Sequence, residues 1–402
     1  MLAALLFALA PQENVLVILL DDVAQADLDE VAADGWAPNI SALAARGIVY
    51  RNAFANPVCS PSRRSLHDGR WYFNESGVGC DPLPGAEPPV ADVLLGDLAV
   101  SEGLTAALFG KWHLGGNPYG GAYQKAPLAH GYSLWQGTPG NVNSCGGTSY
   151  NYWVFVDSNR TSISTQYNPG VIENRLVSWW DSTHKRFALW SMSLAHGRFH
   201  RPPNAFLPPG YPGPPADDER KLYLAMIAAI DVQVGRVLEH VDLASTLVIL
   251  LGDNGTPQNV APDPARAKAS TFERGIRVPF LIAGVGLPPG ESNRLVHIAD
   301  VLPTVAHYLR APPPAGIDGL SVLGKPEHAY VICGQGGGPT VPGDWCARTT
   351  RFKLRRTGIA PAITEEFYDL VADPDETAPL PERAFHGLRV FLRGRLQAEG
   401  VP

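Results

Sequence analysis

Val15-Leu16-Val17-Ile18-Leu19-Leu20-Asp21-Asp22 decides the fold class: a short, wholly apolar run, partly β-branched, that stops abruptly at two carboxylates. The theme returns where Thr246 to Leu251 runs into Gly252-Asp253-Asn254-Gly255, and where Leu104 to Phe109 runs into Gly110-Lys111-Trp112-His113. It returns again where Phe187 to Leu194 runs into Ala195-His196. Continuous apolar runs of this length suit strands buried on both faces, the habit of a parallel or mostly parallel sheet covered by helices. Such sheets bind ligands beyond the carboxyl ends of their strands, so four segments aim polar groups at one edge.

Between these runs, apolar residues recur at three and four in Asn39 to Arg46, Ala91 to Glu102 and Arg220 to Val241, which predicts helices. The fold class is therefore α/β, a large, mostly parallel central sheet flanked by helices. After about Asp318-Gly319 the chain turns to Gly and Pro loops with short strand-like pieces at Tyr330 to Cys333, Arg351 to Arg355 and Glu366 to Leu370. The expected organisation is an apolar leader at 1–10, a main domain at 11–322 and a small C-terminal α+β domain at 323–402 with an antiparallel sheet.

The 402 residues, 45% of them hydrophobic, are enough to bury a large core. A net charge of -7 and the lack of any Lys/Arg run leave no electrostatic footprint for nucleic acid or an anionic membrane. MLAALLFALA resembles the apolar core and cleavage site of a secretory signal peptide without its basic start, and no later segment reaches the ~18 apolar residues of a spanning helix. Export implies a secreted or periplasmic protein. Of five cysteines, Cys59 is then reserved for chemistry while Cys80, Cys145, Cys333 and Cys346 form two disulfides, with Cys333–Cys346 the preferred pair; scattered buried thiols are the alternative.

Asp21, Asp22, Asp253 and Asn254 are all oxygen donors, a set that suits a hard cation, Ca²⁺ or Mg²⁺, better than zinc. Asp21-Asp22 alone would read first as a strand-ending turn; Asp253-Asn254-Gly255 behind a second buried strand is what turns the reading toward a cation. Pro57-Val58-Cys59-Ser60-Pro61-Ser62-Arg63 reads as a turn into a helix, with Ser60 as cap and Pro61 in the first turn. Its positive potential favours an anionic nucleophile or a bound oxyanion beside Cys59. A helix start after a small buried cysteine is the plainer alternative.

The stretch CSPSRRSLHDGR, Cys59 to Arg70, resembles the signature of the sulfatases, members of the alkaline-phosphatase-like superfamily, in which the cysteine is converted to formylglycine. Further blocks follow in the family's order: VILLDD ending at Asp22, APNISALAARGIVY from Ala37, GKWHLG at Gly110, HGY at His130 and LGDNG at Leu251. KASTFERGIRVP from Lys268, HIADVLPT ending at Thr304 and EFYDLVADPDE ending at Glu376 complete the set.

The resemblance implies that Asp21, Asp22, Asp253 and Asn254 ligate the cation, with formylglycine 59 as a further ligand. It implies that Arg63 and His113 hold the formylglycine, and that Lys111, His196 and Lys268 bind the sulfate, with Asn141 in GTPGN a further polar contact. It also implies hydrolysis of aryl or carbohydrate sulfates, and a formylglycine-generating enzyme as partner. The block pattern resembles the arylsulfatases and the N-acetylgalactosamine-4-sulfatase branch. His67-Asp68 replaces the usual Leu-Thr, Arg274 replaces the first Gly of the usual EGG, and Ala195-His196-Gly197-Arg198-Phe199-His200 leaves His200 as a rival to His196. A phosphonate or phosphate ester hydrolase of the same superfamily and a non-catalytic binder of sulfated glycans are the alternatives. The alcohol side of the substrate falls to the loops Trp71 to Pro89, Asn141 to Asn168 and Arg198 to Asp217, where Trp135, Tyr150, Tyr152 and Trp153 are either stacking platforms or ordinary aromatics.

Overall fold

A computed structural model describes residues 14–73, 88–89, 91–115, 126–143, 146–158, 160–180, 185–336 and 342–402. The apolar leader, Cys80, Cys145, the sequons at Asn74 and Asn159 and most of the 71–89 loop lie outside those residues. The strands of the large sheet are β1 (Asn14–Leu20), β2 (Gly47–Phe54), β3 (Thr105–Lys111), β4 (Leu134–Thr138), β5 (Trp153–Asp157), β6 (Arg160–Ser164), β7 (Arg186–Ser191), β8 (Thr246–Gly252), β9 (Phe280–Ala283) and β10 (Gly290–His297). Their order is β10-β2-β9-β8-β1-β7-β3-β4-β5-β6. The middle block β8-β1-β7-β3-β4 is parallel, whereas β9, β5 and β6 pair antiparallel with their neighbours.

Alternate residues of β1 feed two separate cores. Val15, Val17 and Leu19 join the apolar cluster on one face, and Leu16, Ile18 and Leu20 join the cluster on the other. A strand sandwiched in this way has no solvent face, which is why its sequence shows no alternation. Apart from the short helical turns at Ala126–Ala129 and Glu273–Ile276, the helices flanking this sheet are, in chain order, α1 (Gln25–Ala33), α2 (Pro38–Ala44), α3 (Cys59–Asp68), α4 (Leu95–Ser101), α5 (Asn168–Trp179), α6 (Glu219–Leu238) and α7 (Val301–Leu309). Leu66, Leu98 and Leu302 carry α3, α4 and α7 onto the first face; Leu28, Leu43, Ile172 and Ile230 carry α1, α2, α5 and α6 onto the second.

A separate antiparallel sheet runs in the order β11 (Val331–Gln335), β12 (Gly343–Arg348), β13 (Phe352–Ile359), β14 (Ala362–Asp369), and α8 (His386–Ala398) packs Leu392 and Leu396 on it. Lys353 of β13 is fully buried between Glu273 and Glu376, 2.8 Å from a carboxylate oxygen of each. Gln335 of β11 donates to the Ala269 carbonyl at 2.6 Å. The small sheet thus braces the segment that carries Lys268.

One sequence expectation changes here, and one reading left open is decided. Cys333 and Cys346 do face each other across β11 and β12, but as buried free thiols rather than as a disulfide; their pocket of Phe54, Ile276, Leu295 and Val331 is apolar and needs no cross-link to stay closed. Trp135 and Trp153 are fully buried, with their indole N–H groups given to the Gly110 and Gln166 carbonyls, and Tyr150 is buried as well. Of those four aromatics only Tyr152, 43% exposed, is free to stack on a ligand.

Candidate active site

The parallel block puts the carboxyl ends of β8, β1, β7 and β3 side by side, so the residues that follow them converge. Asp21 and Asp22 follow β1, Asp253 and Asn254 follow β8, Lys111 ends β3, and His196 lies a few residues beyond β7. The loop ends are laced by backbone bonds: Asp253 N–H donates to Leu20 O at 2.9 Å, Asp21 N–H to Leu194 O at 3.1 Å, and Ala195 N–H to Asp21 O at 2.7 Å.

Cys59 sits in this cluster. Its Sγ lies 3.5 Å from Asp21 Oδ1 and 3.8 Å from Asp22 Oδ1. One ligand atom each from Asp21, Asp22, Cys59 and Asp253 fall within 4.8 Å of one another, and Asp22, Cys59 and His196 form a second such group. Helix α3 starts at Cys59 itself, earlier in the motif than the sequence suggested. Val58 occupies the cap position without a side-chain bond, and Ser60, expected there, donates instead to the His113 carbonyl at 3.0 Å.

Arg63 is buried one turn into α3. Its Nε and Nη2 both donate to Asp253 Oδ2, at 3.0 and 2.7 Å, and Nη1 reaches the Lys111 carbonyl at 3.1 Å and Ser191 Oγ at 2.5 Å. Lys111 Nζ is held by both oxygens of Asp21, at 3.1 and 2.8 Å. Lys268 Nζ is 2.5 Å from Asp22 Oδ1 and 3.4 Å from Cys59 Sγ. His196 Nε2 lies 3.8 Å from Asp22 Oδ2, while His200 turns away to Tyr167, its Nε2 3.0 Å from that hydroxyl. Asn141 is half-buried and follows the carboxyl end of β4, which runs parallel to β3.

Burial would raise the Asp21 and Asp22 carboxyls. Lys111, His196 and Arg63 around Asp21, and Lys268 and His196 around Asp22, outweigh it and hold both below the ordinary value. The Cys59 thiol moves the other way, pushed far up by burial and by Asp253 and Asp21 against the pull of the two lysines. A buried thiol so reluctant to ionise is a poor nucleophile in its own right.

The donor set fits a hard divalent cation. Three buried carboxylates share one small volume, and the Asn254 Oδ1 beside them is buried with no hydrogen-bond partner, although its Nδ2 donates to Asp22 Oδ1 at 2.8 Å. A buried carbonyl oxygen left bare next to carboxylates is what oxygen coordination would satisfy.

A family model described as Sulfatase matches residues 13–311. The chain belongs to the sulfatase family. It is 29% identical over 363 residues to N-acetylgalactosamine-6-sulfatase of Sus scrofa, covering 78% of this chain and 66% of that protein. It is 26% identical to the ulvan-active sulfatase of Formosa agariphila, covering 84% and 70%. The chain thus spans about two thirds of the length of these curated relatives. Its fold is shared with Ps i-CgsB, solved in complex with k-i-k-neocarrahexaose, at TM-score 0.77 and 21% identity over 96% of this chain and 92% of that one. It is shared also with a phosphonate monoester hydrolase of Agrobacterium radiobacter, at TM-score 0.72 and 20% identity over 96% and 95%.

This chain departs from the family signature at three positions that now have physical accounts. His67 is buried against Trp112, their ring centroids 4.9 Å apart, and Asp68 accepts from Arg64 Nε at 2.7 Å. Arg274, in place of a glycine, donates to Asp27 Oδ1 at 3.1 Å. Sequence reading passed over Ser191, Asp27 and the supporting role of Tyr150. Ser191 joins Arg63 to the Lys111 carbonyl, and the Tyr150 hydroxyl lies 2.5 Å from Ser193 O and 2.8 Å from His196 O, fixing the loop that bears His196. A serine inside an apolar run, a tyrosine in a loop and an acidic residue early in a helix carry no mark in the sequence that would single them out.

Proposed function

We propose that the chain hydrolyses sulfate monoesters, with sulfated carbohydrates as the natural class, using Cys59 after its conversion to formylglycine. The observation that carries this reading is the convergence, in one buried cluster, of Cys59 with three carboxylates, Asn254, Arg63, Lys111, Lys268 and His196. Relatives named for N-acetylgalactosamine-6-sulfate and for ulvan support the carbohydrate class.

Asp21, Asp22, Asp253 and Asn254 would hold Ca²⁺, or Mg²⁺ in its place, which supplies charge neutralisation to a sulfate group that otherwise repels attack. Formylglycine at 59 would supply, as its hydrate, an oxygen nucleophile for sulfur and a second hydroxyl through which sulfate could be released. The remaining work falls to side chains. Arg63 fixes Asp253 beside the nucleophile, where that carboxylate can take up the hydroxyl proton. Lys111, fully buried, and Lys268, mostly so, carry the ammoniums that would meet sulfate oxygens. His196 and Lys268 reach the rim, with side chains 19% and 18% exposed, and one of them gives the departing alcohol its proton. His113 and Asn141 are the further contacts expected from the resemblance, His113 to the formylglycine and Asn141 to the sulfate.

The reading extends to organisation and setting: residues 11–322 as the catalytic unit, 323–402 as an appended small domain, a formylglycine-generating enzyme as partner, and a secreted, periplasmic or lysosomal location. No described helix is long and apolar enough to cross a membrane. The test is co-expression with a formylglycine-generating enzyme, peptide mass spectrometry at Cys59, and hydrolysis of matched aryl sulfate, phosphate and phosphonate esters with and without Ca²⁺. Converted Cys59 with calcium-dependent preference for the sulfate ester is expected. Preference for the phosphate or phosphonate ester would replace the reading with the phosphohydrolase one, and unconverted Cys59 with no turnover would favour a glycan-binding protein.

A further inference from the structure

We infer that Asp27 is a positioning residue that sets the geometry between the two strand ends bearing the oxygen donors, an inference that rests on the cation site proposed above. Asp27 lies in the first turn of α1, fully buried and outside the carboxylate group around Cys59. Its Oδ2 accepts from Thr256 Oγ1 at 2.6 Å and lies 2.8 Å from the Tyr223 hydroxyl. Its Oδ1 accepts from Arg220 at 2.9 Å and from Arg274 at 3.1 Å. One carboxylate therefore faces four donors from three other parts of the chain.

Each hydroxyl partner leads directly to the site. The Tyr223 hydroxyl lies 2.8 Å from the Asp22 carbonyl, and Asp22 has a φ of +62°, a left-handed conformation uncommon for a residue with a Cβ, though aspartate tolerates it better than most. Thr256 ends the Asp253-Asn254-Gly255 turn. Its N–H donates to the Arg274 carbonyl at 3.0 Å, and its own carbonyl accepts from Lys268 N–H at 2.8 Å. At Gly255 a Cβ would fall 1.9 Å from the Arg274 carbonyl oxygen, so this turn packs directly on the segment that follows Lys268. Asp27 thereby joins the backbone of Asp22, the turn carrying Asp253 and Asn254, and the segment carrying Lys268.

A carboxylate serving stability alone would leave cation affinity untouched when one of its hydroxyl partners is removed. A positioning carboxylate would not, because groups behind metal ligands typically change metal affinity by about 10- to 100-fold. Arg274 also makes the arrangement particular to this chain, since it stands where the family signature has glycine and adds a second guanidinium beside Arg220.

The experiment is calorimetric titration of the full, chelator-stripped chain with Ca²⁺, alongside kcat and KM for an aryl sulfate, in Thr256→Val, Thr256→Ser, Tyr223→Phe and Asp27→Asn. Thr256→Val and Tyr223→Phe are expected to weaken Ca²⁺ binding about 10-fold and to lower kcat with little change in KM. Thr256→Ser, which keeps the hydroxyl, restores both. Adding Thr256→Val to Asp27→Asn costs little more, since both act through one carboxylate. If Asp27→Asn fails to fold, the Thr256 pair decides alone. Wild-type Ca²⁺ affinity in both Thr256→Val and Tyr223→Phe would overturn the inference, whatever their melting temperatures; a wild-type chain that binds no Ca²⁺ would overturn the cation reading and this inference with it.

Discussion

Arg63 and Asp253 form a completely buried pair in which two guanidinium nitrogens converge on a single carboxylate oxygen, Oδ2, at 3.0 and 2.7 Å. The other oxygen of Asp253 accepts from Asp22 N–H at 3.1 Å. The pair therefore locks α3, which begins at Cys59, to the ends of β8 and β1. Arg63→Ala leaves Asp253 buried without its partner and should cost about 3–5 kcal/mol in urea unfolding. Arg63→Lys keeps the charge, but one ammonium cannot span Asp253, Ser191 and the Lys111 carbonyl, so turnover should fall by about 10- to 100-fold with a smaller loss of stability.

His196 and His200 should separate cleanly. His196 Nε2 faces Asp22 whereas His200 is taken up by Tyr167. His196→Ala is expected to lower kcat by about 100-fold or more, and His200→Ala to stay within a few-fold of wild type. Steady-state kinetics of the two variants check this, and the reverse order would transfer the role to His200.

Lys111 and Lys268 each rest on one carboxylate, Asp21 and Asp22. Replacing Lys111 with Ala removes the charge proposed to meet sulfate and also a competitor for Asp21. Turnover should fall by about 100-fold while Ca²⁺ affinity holds or rises, a split that calorimetry and kinetics together would read. Loss of Ca²⁺ binding instead would mean that Lys111 builds the cation site rather than the anion site.

Acid should destabilise the protein through His67. Burial first, then the charges of His130, Arg63 and Arg64, lower its pKa to about 3. The unfolded chain takes up that proton near about pH 6.5, so between the two values the unfolded state binds more protons and stability falls as pH falls. The slope for this one group is at most about 1.4 kcal/mol per pH unit. His67→Leu, which restores the residue of the family signature, should lose less stability than wild type between about pH 6.5 and pH 5 in urea titrations; equal losses would remove His67 as the cause.

The parallel middle of the sheet was legible because β1, β8, β3 and β7 are buried on both faces, and an apolar run that halts at Asp, Lys or His has few other readings. The site followed, since Asp21, Asp22, Asp253, Asn254, Lys111 and Cys59 stand at those strand ends or at the helix beside them. The antiparallel edges were harder to see. Arg160–Ser164 is polar and largely exposed, Gly343–Arg348 carries Gly, Asp and Arg within a buried strand, and α8 interleaves Arg389, Arg393 and Arg395 with its core leucines. The place of Trp135 and Trp153 stayed open in the sequence because aromatic content alone does not tell a core ring from a platform; the decision rests on packing partners that are distant in sequence. Asp27 stayed hidden for the same reason, since Thr256, Tyr223, Arg220 and Arg274 meet it only in three dimensions.

The most direct test of the central claim is the fate of Cys59→Ser given a chromogenic aryl sulfate in excess over enzyme. A serine has one hydroxyl and cannot expel the sulfate it accepts, so the account predicts at most one equivalent of product per chain, with the sulfate retained at position 59 by intact and peptide mass spectrometry. Sustained turnover at the wild-type rate, with no sulfate on that side chain, would contradict it.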